Sequence, residues 1–385
     1  MIYLDNHATT SCDPRVVEQM LPFFTDNYGN PSSDHHFGLA AAEAVNKATE
    51  QISLLIGGRK EEIIITSGAT ESINLAIIGI TNNRLKKTGK KNKIVTTRIE
   101  HKAVLMPIAY LETQGWVVDY LPVDDTGLID LTEAEKIIDD NTYLISVQLA
   151  NSEIGTIQPL AALAALSKSS GAFFHCDASQ GIGKVIVNVD ELGIDFLSFS
   201  GHKIYGPKGV GILWIKDGLK RLLNPIMFGG GALGSIRPGT LPVPLIVGLG
   251  AACQLLNECF DKENSKTMQL RDLFEKILVE KISGLIINGA KNNRLSNNSN
   301  ITFPNVDAEM LLGNLPDLVM STGSACESGS IEPSRVLTEL GISSEAAFNT
   351  IRVGFGRFNT LDQTNFAAEE IIKAYTKISR IIDNF

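Results

Sequence analysis

Residues 173–203, FFHCDASQGIGKVIVNVDELGIDFLSFSGHK, contain two short apolar runs that each end in polar residues. The runs at 172–176 and 195–200 have the length and aromatic content of buried strands. Turn residues and a helical pattern separate them. Such alternation is typical of a mostly parallel sheet with helices on both faces, so the stretch predicts an α/β fold.

The same alternation continues outward on both sides, from about residue 60 to residue 260. Seven strands are predicted there, at 62–66, 93–97, 116–121, 143–147, 172–176, 195–200 and 210–215. A helix at 242–260 is predicted to follow, and the polar residues 261–266 are predicted to mark a boundary. Beyond it, a second α/β arrangement is predicted, with strands at 284–288, 300–303 and 351–355 and a closing helix at 361–382.

The composition narrows the class of protein. The 385 residues are 44% hydrophobic, and 34 Lys and Arg against 43 Asp and Glu give a formal charge of -9, which disfavours direct nucleic-acid binding. The first residues lack the features of a signal peptide, and no run approaches the roughly 20 apolar residues of a membrane helix, so a cytoplasmic protein is expected. The five cysteines are scattered and are expected to be reduced thiols.

Two polar residues follow the runs of the opening stretch. Lys203 lies just after the second run, where a partly desolvated amine can form an imine with an aldehyde such as pyridoxal phosphate. Asp177 directly follows the first run, and a carboxylate there can keep the pyridine nitrogen of that cofactor protonated. Taken singly, Lys203 also fits a surface lysine and Asp177 also fits a turn cap. Gln180 could bond the ring oxygen or be a turn residue.

A third element is the sequence IIITSGATES at 63–72, a strand, a glycine turn and a helix start. Backbone N–H groups and the helix dipole favour an anion at such a place, and Thr70 can add a hydroxyl. Simple capping of the helix by Ser67 or Thr70 explains the same pattern equally well. No glycine-rich nucleotide-binding signature is present.

Three further residues carry chemistry. Cys326 lies in the small, polar run STGSACESGS at 321–330, an expected exposed loop, which makes it the candidate nucleophile among the cysteines. His101 follows a strand and could stack on a cofactor ring or move protons, or be an ordinary loop histidine. Arg352 opens a predicted strand and could bind a carboxylate with two bonds, or form a plain ion pair.

Together these motifs resemble the cysteine desulfurases, fold-type I pyridoxal-phosphate enzymes related to the class V aminotransferases. The resemblance covers nearly the whole chain, in the order of that family: YLDNHATT at 3–10, GNPSS at 29–33, SGATES at 67–72, NSEIG at 151–155, DASQ at 177–180, SGHK at 200–203, GSAC at 323–326 and Arg352. It implies a large cofactor-binding domain at 14–262 and a smaller α/β domain formed by 1–13 and 263–385, which carries the cysteine loop.

The resemblance also implies a role for each matching residue. Lys203, Cys326 and His101 would be catalytic, as the Schiff-base lysine, the persulfide carrier, and the ring-stacking and proton-transferring histidine. Arg352 and Asn151 would bind the substrate. The remaining cofactor contacts would be made by Ala69, Thr70, Asp177, Gln180, Ser200, His202 and, from the partner subunit of a homodimer with shared sites, Thr240.

The implied reaction takes sulfur from L-cysteine, leaves L-alanine and passes the sulfur to an acceptor protein. Iron-sulfur cluster assembly, tRNA thiolation and DNA phosphorothioation remain open as its destination. Position 152 is Ser where the family commonly has Asn, and the segment 229–240 is shorter than usual. Alternatives are a selenocysteine lyase, another class V aminotransferase, or a non-catalytic sulfur-relay scaffold.

Overall fold

The computed structural model describes residues 1–85, 91–230, 236–322 and 332–382. Its strands are β1 (Ile2–Tyr3), β2 (Ile63–Thr66), β3 (Lys93–Thr97), β4 (Val117–Leu121), β5 (Thr142–Gln148), β6 (Phe173–Asp177), β7 (Phe196–Ser200), β8 (Gly211–Ile215), β9 (Ile286–Asn288), β10 (Asn298–Thr302), β11 (Leu318–Val319), β12 (Ser321–Thr322) and β13 (Thr350–Gly354). Its α-helices are α1 (Pro14–Met20), α2 (Pro22–Thr25), α3 (His36–Leu55), α4 (Ala69–Leu85), α5 (Lys102–Thr113), α6 (Leu131–Ile137), α7 (Leu160–Ser170), α8 (Val189–Leu192), α9 (Val243–Lys281), α10 (Ala308–Gly313), α11 (Arg335–Glu339), α12 (Ser344–Phe348) and α13 (Leu361–Ile382).

The large sheet has seven strands in the order β2-β8-β7-β6-β5-β3-β4. Its pairs are parallel from β7 through β6, β5 and β3 to β4, whereas β8 is antiparallel to both of its neighbours. Because β2 and β7 both run against β8, they point the same way as the parallel strands. The carboxyl ends of six strands therefore lie along one edge of the sheet.

Alternate residues of the large sheet face two separate apolar cores. Phe174, Cys176, Leu197 and Phe199 are buried on one face, with α3, α7 and α9 over them. The residues that alternate with these along the strands, such as Leu144 and Phe196, are buried on the other face of the sheet, which packs against α4 and α5. Burial on both faces explains why these strands have nearly continuous apolar sequences. The predicted α/β fold with seven mostly parallel strands is confirmed, and the ends of these strands differ from the predicted ones by at most one residue.

The helix α9 differs from its prediction. It does not end at residue 260 but continues to Lys281, through the polar residues 261–266. Its first half packs against α3 and the large sheet, whereas Leu270, Phe274 and Leu278 in its second half belong to the core under the small sheet. Hydrophilic residues in the middle of a long helix can simply face solvent, so a polar run alone does not end a helix.

The same helix is long and apolar enough to be a candidate membrane span, although no such span was expected. Half of its most apolar window is buried inside the protein, as in the core helices of soluble proteins.

The small sheet is antiparallel, in the order β12-β13-β10-β9, and packs against α9, α10 and α13. The N-terminal segment joins it: β1 pairs with β11, and Asp5 bridges to Gly354 at the end of β13. The next residues cross to the large sheet, where Thr10 bonds the carbonyl oxygen of His202. The N-terminal segment thus connects the two sheets. The division at residues 14 and 262 stays a prediction.

Replacing Phe274 by Ala should lower the free energy of unfolding by about 3–5 kcal/mol. The Phe274 side chain is fully buried and its ring lies 5.5 Å from that of Phe355, so truncation removes apolar burial and leaves a cavity. Urea unfolding measures the loss. Phe366→Ala, at a position 42% exposed on α13, is the matched control and should change the free energy by less than about 0.5 kcal/mol. Equal effects of the two replacements would contradict the assigned core.

Candidate active site

A cavity of about 670 Å³ opens at the edge of the large sheet where the strands have their carboxyl ends. Ligand sites of open α/β sheets lie at this edge, because strand-to-helix loops from several strands converge there. The lining includes eight residues predicted for the site: Ala69, Thr70, His101, Asp177, Gln180, Ser200, His202 and Lys203. The fold therefore brings together residues that are up to 134 positions apart in the sequence, from Ala69 to Lys203.

Lys203 ends a short 3-10 helix, Gly201–Lys203, that follows β7. Its Nζ donates hydrogen bonds to the carbonyl oxygens of His7 and, at 2.9 Å, of Ala8. Both acceptors belong to the N-terminal segment that connects the two sheets. The amine is thus hydrogen-bonded to two backbone carbonyl oxygens of that segment.

His7 links the two sheets through its imidazole. Its Nδ1 lies 3.0 Å from Oε1 of Gln180, after β6, and its Nε2 lies 3.2 Å from Nδ2 of Asn298 in β10. An amide oxygen accepts and an amide nitrogen donates, so this pair of contacts specifies the neutral ring with its proton on Nδ1. Burial, together with the charges of Arg352, Lys184 and Lys203, holds the pKa of His7 well below its usual value, in agreement with a neutral ring.

Asp177 is the last residue of β6 and is 6% exposed. Its Oδ1 accepts hydrogen bonds from the backbone N–H of Ser179, at 3.0 Å, and from the Ser179 hydroxyl. These two bonds to one oxygen fix the plane of the carboxylate at the cavity wall. The sequence alone could not separate this arrangement from a simple turn cap, because Asp177 both caps the turn and lines the cavity.

The start of α4 forms one end of the cavity. Residues 67–71 line it, and the first backbone N–H groups of a helix have no acceptor within the helix. Glu71 folds back to accept from the backbone N–H of Ser67, and it also forms an ion pair with Arg237 at 2.9 Å. Burial opposes ionisation of Glu71, but the bonds from Arg237 and Ser67 outweigh it and keep its pKa below the usual value.

The turn before α4 depends on a glycine of the neighbouring strand. A Cβ atom on Gly211, the first residue of β8, would lie 2.7 Å from backbone atoms of Gly68 and from the carbonyl oxygen of Phe199. Such contacts are far inside van der Waals distance, so only glycine lets the turn at the start of α4 lie directly against the sheet.

Further polar residues face the same end of the cavity. His202 bonds Thr9 through its Nδ1, at 3.1 Å, and burial together with the charges of Lys203 and Lys208 lowers the pKa of His202 to about 4. Lys208 lines the cavity as well, so the ammonium groups of two lysines and the N terminus of α4 give this region a positive character. An anion is the ligand that such an end of a cavity favours.

His101 is the N-cap residue of α5 and lines the cavity. Its Nδ1 accepts a hydrogen bond from the backbone N–H of Ala103 at 3.0 Å, which fixes the ring and leaves Nε2 as the protonated nitrogen of the neutral form. Desolvation lowers the pKa of His101, the charge of Asp177 opposes this, and the charges of Lys203, Arg335 and Lys102 add to it. The neutral ring can therefore present its Nε2–H as a donor at the cavity wall.

Glu100, next to His101, is a buried carboxyl group under the cavity. Its Oε1 accepts from the Thr97 hydroxyl and the backbone N–H of Gln148, both at 3.0 Å, while Oε2 is buried without a partner among the described residues. Burial, with the charge of Asp177, raises the pKa of Glu100 to about 8 although the two hydrogen bonds oppose it. Near neutral pH this group is therefore mostly protonated.

Three of the predicted residues that the structure describes do not line the cavity. Asn151 is buried behind the cavity wall, where it donates to the carbonyl oxygen of Ile99 and accepts from two backbone N–H groups. Arg352 is 1% exposed and pairs with Asp5 at 2.8 Å. Thr240 is exposed and does not line the cavity. Cys326 lies outside the described residues, and so does the part 231–235 of the shortened segment. Their roles stay predictions.

Several lining residues were not predicted from the sequence: Thr9, Glu71, Gln148, Ser152, Ser179 and Lys208. Thr9, Glu71 and Ser152 lie inside motifs that carried the family resemblance, but no chemistry had been assigned to them. Gln148 directly follows the predicted strand 143–147, as Asp177 follows 172–176, so its position at a strand end was a signal that could have indicated it. No group of three or more His, Cys, Asp or Glu that could hold a metal ion occurs in the part of the chain that the structure describes.

Comparison with known proteins places the chain in a family. The model of the aminotransferase class-V family matches residues 2–365. This chain belongs to that family. It is also 44% identical over 381 residues to the cysteine desulfurase IscS of Rickettsia massiliae, a match that covers 99% of this chain and 92% of the relative.

Solved structures agree with the sequence relatives. A structure titled NifS-like protein has a TM-score of 0.90 and 35% identity, and the match covers 97% of this chain and 99% of that chain. A structure titled SspA in complex with cysteine has a TM-score of 0.82 and 35% identity, with 94% and 100% of the two chains covered. The predicted relationship to the cysteine desulfurases and the predicted fold are therefore confirmed.

The buried acid Glu100 predicts a distinctive dependence of stability on pH. Because its folded-state pKa is raised from 4.5 to about 8, the folded protein holds a proton there that the unfolded chain has lost, and stability falls as pH rises between these values. Glu100→Gln removes the ionisable group. The free energy of unfolding of the variant minus that of the wild type should therefore increase with pH, by up to about 1.4 kcal/mol per unit.

Urea unfolding of both proteins across this window measures the difference. Glu62→Gln is the control: bonds from Arg59 outweigh burial and keep the pKa of Glu62 below its usual value, so Glu62 is ionised in both states above that value. A pH-independent difference between Glu100→Gln and wild type would show that Glu100 is ionised in the folded protein.

Proposed function

We propose that this protein is a pyridoxal-phosphate-dependent cysteine desulfurase, which converts L-cysteine to L-alanine and holds the sulfur as a persulfide on Cys326. The observation that supports it best is that Lys203, Asp177 and the start of α4 line one cavity in a chain of this family. The predicted activity agrees with that of the curated relatives.

The side chains of the cavity fit pyridoxal phosphate. The Lys203 amine can bind its aldehyde, the buried Asp177 carboxylate can pair with its protonated ring nitrogen, and the free N–H groups of α4 can bind its phosphate. Ala69, Thr70, Ser200 and His202 would complete the phosphate site. Gln180, fixed by its bond to His7, would contact the ring oxygen.

When bound, the cofactor supplies an electron sink for the negative charge that develops at the substrate Cα. Asp177 maintains that sink by keeping the ring nitrogen protonated, since an ionised carboxylate stabilises the cation beside it. The Lys203 amine would take the α-proton of the substrate. The carbonyl oxygens of His7 and Ala8 orient that amine. His101 would stack on the ring, and its Nε2–H would be the donor of a further proton.

The Cys326 thiolate would then attack the substrate sulfur. An S–S bond forms as the Cβ–S bond of the substrate breaks, and protonation of the remaining carbon skeleton gives alanine. Arg352 and Asn151 would bind the substrate. The Arg352 guanidinium would bind its carboxylate and would have to share its donors with Asp5, its present partner.

We also propose a homodimer. Met106 and Tyr110 on α5 are 62% and 55% exposed, and with Thr70 and His101 they line an apolar depression of about 610 Å³ beside the cavity. Phe228 is 89% exposed. Exposed apolar surface of this extent is typical of protein interfaces. A partner subunit bound here would lie next to the active site, and its Thr240 would reach the phosphate.

The remaining predictions form part of the same proposal. The large domain would be 14–262 and the small domain 1–13 with 263–385, placing Cys326 in the small domain. The enzyme would act in the cytoplasm and pass its sulfur to an acceptor protein. Iron-sulfur cluster assembly, which fits the relatives named IscS, tRNA thiolation and DNA phosphorothioation are the candidate destinations.

Release of alanine from L-cysteine tests the activity directly. Wild-type protein loaded with pyridoxal phosphate should release alanine, and sulfide when a thiol reductant is present, whereas Lys203→Ala should lower the rate by at least about 100-fold because it removes the base. Lys276→Ala, at an exposed position on α9 that does not line the cavity, is the control and should keep the wild-type rate. Failure of the wild type to form alanine would refute the proposed function.

Replacement of Cys326 by Ala separates the desulfurase from its nearest alternatives. Loss of alanine formation from cysteine, with retained cofactor absorbance, is expected if Cys326 accepts the sulfur. A selenocysteine lyase or another class V aminotransferase would keep its activity in this variant. A sulfur-relay scaffold would show no cofactor absorbance in any variant.

The dimer predicts a mass of twice 41.6 kDa by light scattering. Met106→Glu should shift the protein to monomer and lower the activity, because a charge in the depression beside the cavity would be desolvated at the interface. Val279→Glu, at a position 52% exposed on the second half of α9, should leave the dimer intact. A monomeric wild type, or a dimeric Met106→Glu variant, would contradict the interface.

A further inference from the structure

The short helices α11 and α12 pack on the loops that carry His101 and Asn151. Val336 and Leu337 of α11 form an apolar cluster with Ile99, after β3, and Ile154, after β5. This cluster is separate from the cores of the two sheets. It holds the C-terminal part of the chain against the carboxyl edge of the large sheet, directly beside the cavity.

Two polar contacts reinforce this packing. The Ser334 hydroxyl donates to Oε2 of Glu153 and accepts from the backbone N–H of Leu337. It therefore caps α11 and also connects this helix to the loop after β5. Nη2 of Arg335 donates to the carbonyl oxygen of Glu100 at 2.8 Å. Each contact reaches a different loop, and the loop bonded by Arg335 continues directly into His101.

The loop from Ile99 to His101 is held at every residue. The Ile99 carbonyl oxygen accepts from the side-chain amides of Gln148 and Asn151, at 2.9 Å and 3.0 Å. The Glu100 carboxyl group accepts from Thr97 and Gln148, and the backbone carbonyl oxygen of Glu100 accepts from Arg335. The His101 ring in turn caps α5. The bond from Arg335 is therefore the contact by which α11 fixes the peptide group between Glu100 and His101.

We propose that Arg335 is a positioning residue of the desulfurase reaction, which holds the peptide group between Glu100 and His101 and thereby sets the placement of the His101 ring at the cavity wall. The inference rests on the proposed function, in which His101 transfers a proton. Arg335 touches neither substrate nor cofactor in this arrangement. Nη1 of the guanidinium is buried and has no partner within the described ranges, a cost that the remaining contacts must offset.

The charge of Arg335 adds a second effect on the same ring. The charged groups that act on His101 are Asp177, which favours its protonation, and Lys203, Arg335 and Lys102, which disfavour it. Glu100 lies beside it as a mostly neutral acid. Loss of the Arg335 charge should raise the pKa of His101, since one of the three cations is removed and the carboxylate remains.

Arg335→Met and Arg335→Lys separate the two effects in the holoenzyme. Met removes the donor and the charge, whereas Lys keeps the charge but has a single point-like head group with a different reach. Arg335→Met should lower kcat about ten-fold with KM changed less than about two-fold, and should raise the pKa of His101, measured by NMR titration of labelled histidines. Arg335→Lys should lower kcat but leave the His101 titration unshifted.

Arg98→Met is the matched control. Arg98 precedes the same loop but lies over the ring of Tyr120, 4.1 Å from its centroid, and it is exposed. This variant should keep the kcat and the His101 titration of the wild type. His101→Gln identifies the His101 signal in the spectra.

The outcomes are distinguishable. An Arg335→Met protein that loses stability but retains the wild-type kcat and His101 titration would assign Arg335 a merely structural role and overturn the inference. If Arg335→Met does not fold, wild-type kcat in Arg335→Lys overturns it as well. Absence of alanine formation by the wild type would instead refute the proposed function, whereas the NMR titration would still report whether Arg335 acts on His101.

Discussion

The contacts of His7 connect the two parts of the structure on which the active site depends. Its ring bonds Gln180 of the large sheet and Asn298 of the small sheet, and its carbonyl oxygen accepts from Lys203 and Gln180. A protonated imidazole would require a second acceptor where Asn298 offers an amide N–H, so the network exists only while the ring is neutral. Burial ensures this, because desolvation is the largest influence on the pKa of His7.

The site is built mainly from groups that the fold keeps neutral. His7, His101 and His202 all have lowered pKa values, and that of Glu100 is raised, in each case with burial as the first cause. The charge of the site lies on the amine of Lys203, on the carboxylate of Asp177 and in the positive region at the start of α4. In a region of low dielectric constant, the few charges that remain interact with one another more strongly than they would in water.

The second constraint is mechanical. The long helix α9 belongs to both apolar cores, the N-terminal segment crosses from the small sheet to Lys203, and α11 binds the loop that enters His101. These three connections reach the cavity from different directions. The two sheets are thus joined through elements that also orient side chains of the site.

The sequence by itself determined the fold class and the strands of the large sheet, and it indicated Lys203, Asp177 and the α4 turn as candidates for the site. It did so because apolar runs of fixed period and polar residues at strand ends are local patterns. Tertiary structure alone decided that α9 continues through its polar middle, that Gln148 and Lys208 face the cavity, and that Arg352 pairs with Asp5. It also decided which histidines and acids are neutral. These properties depend on burial and on partners distant in the chain, which a local pattern does not contain.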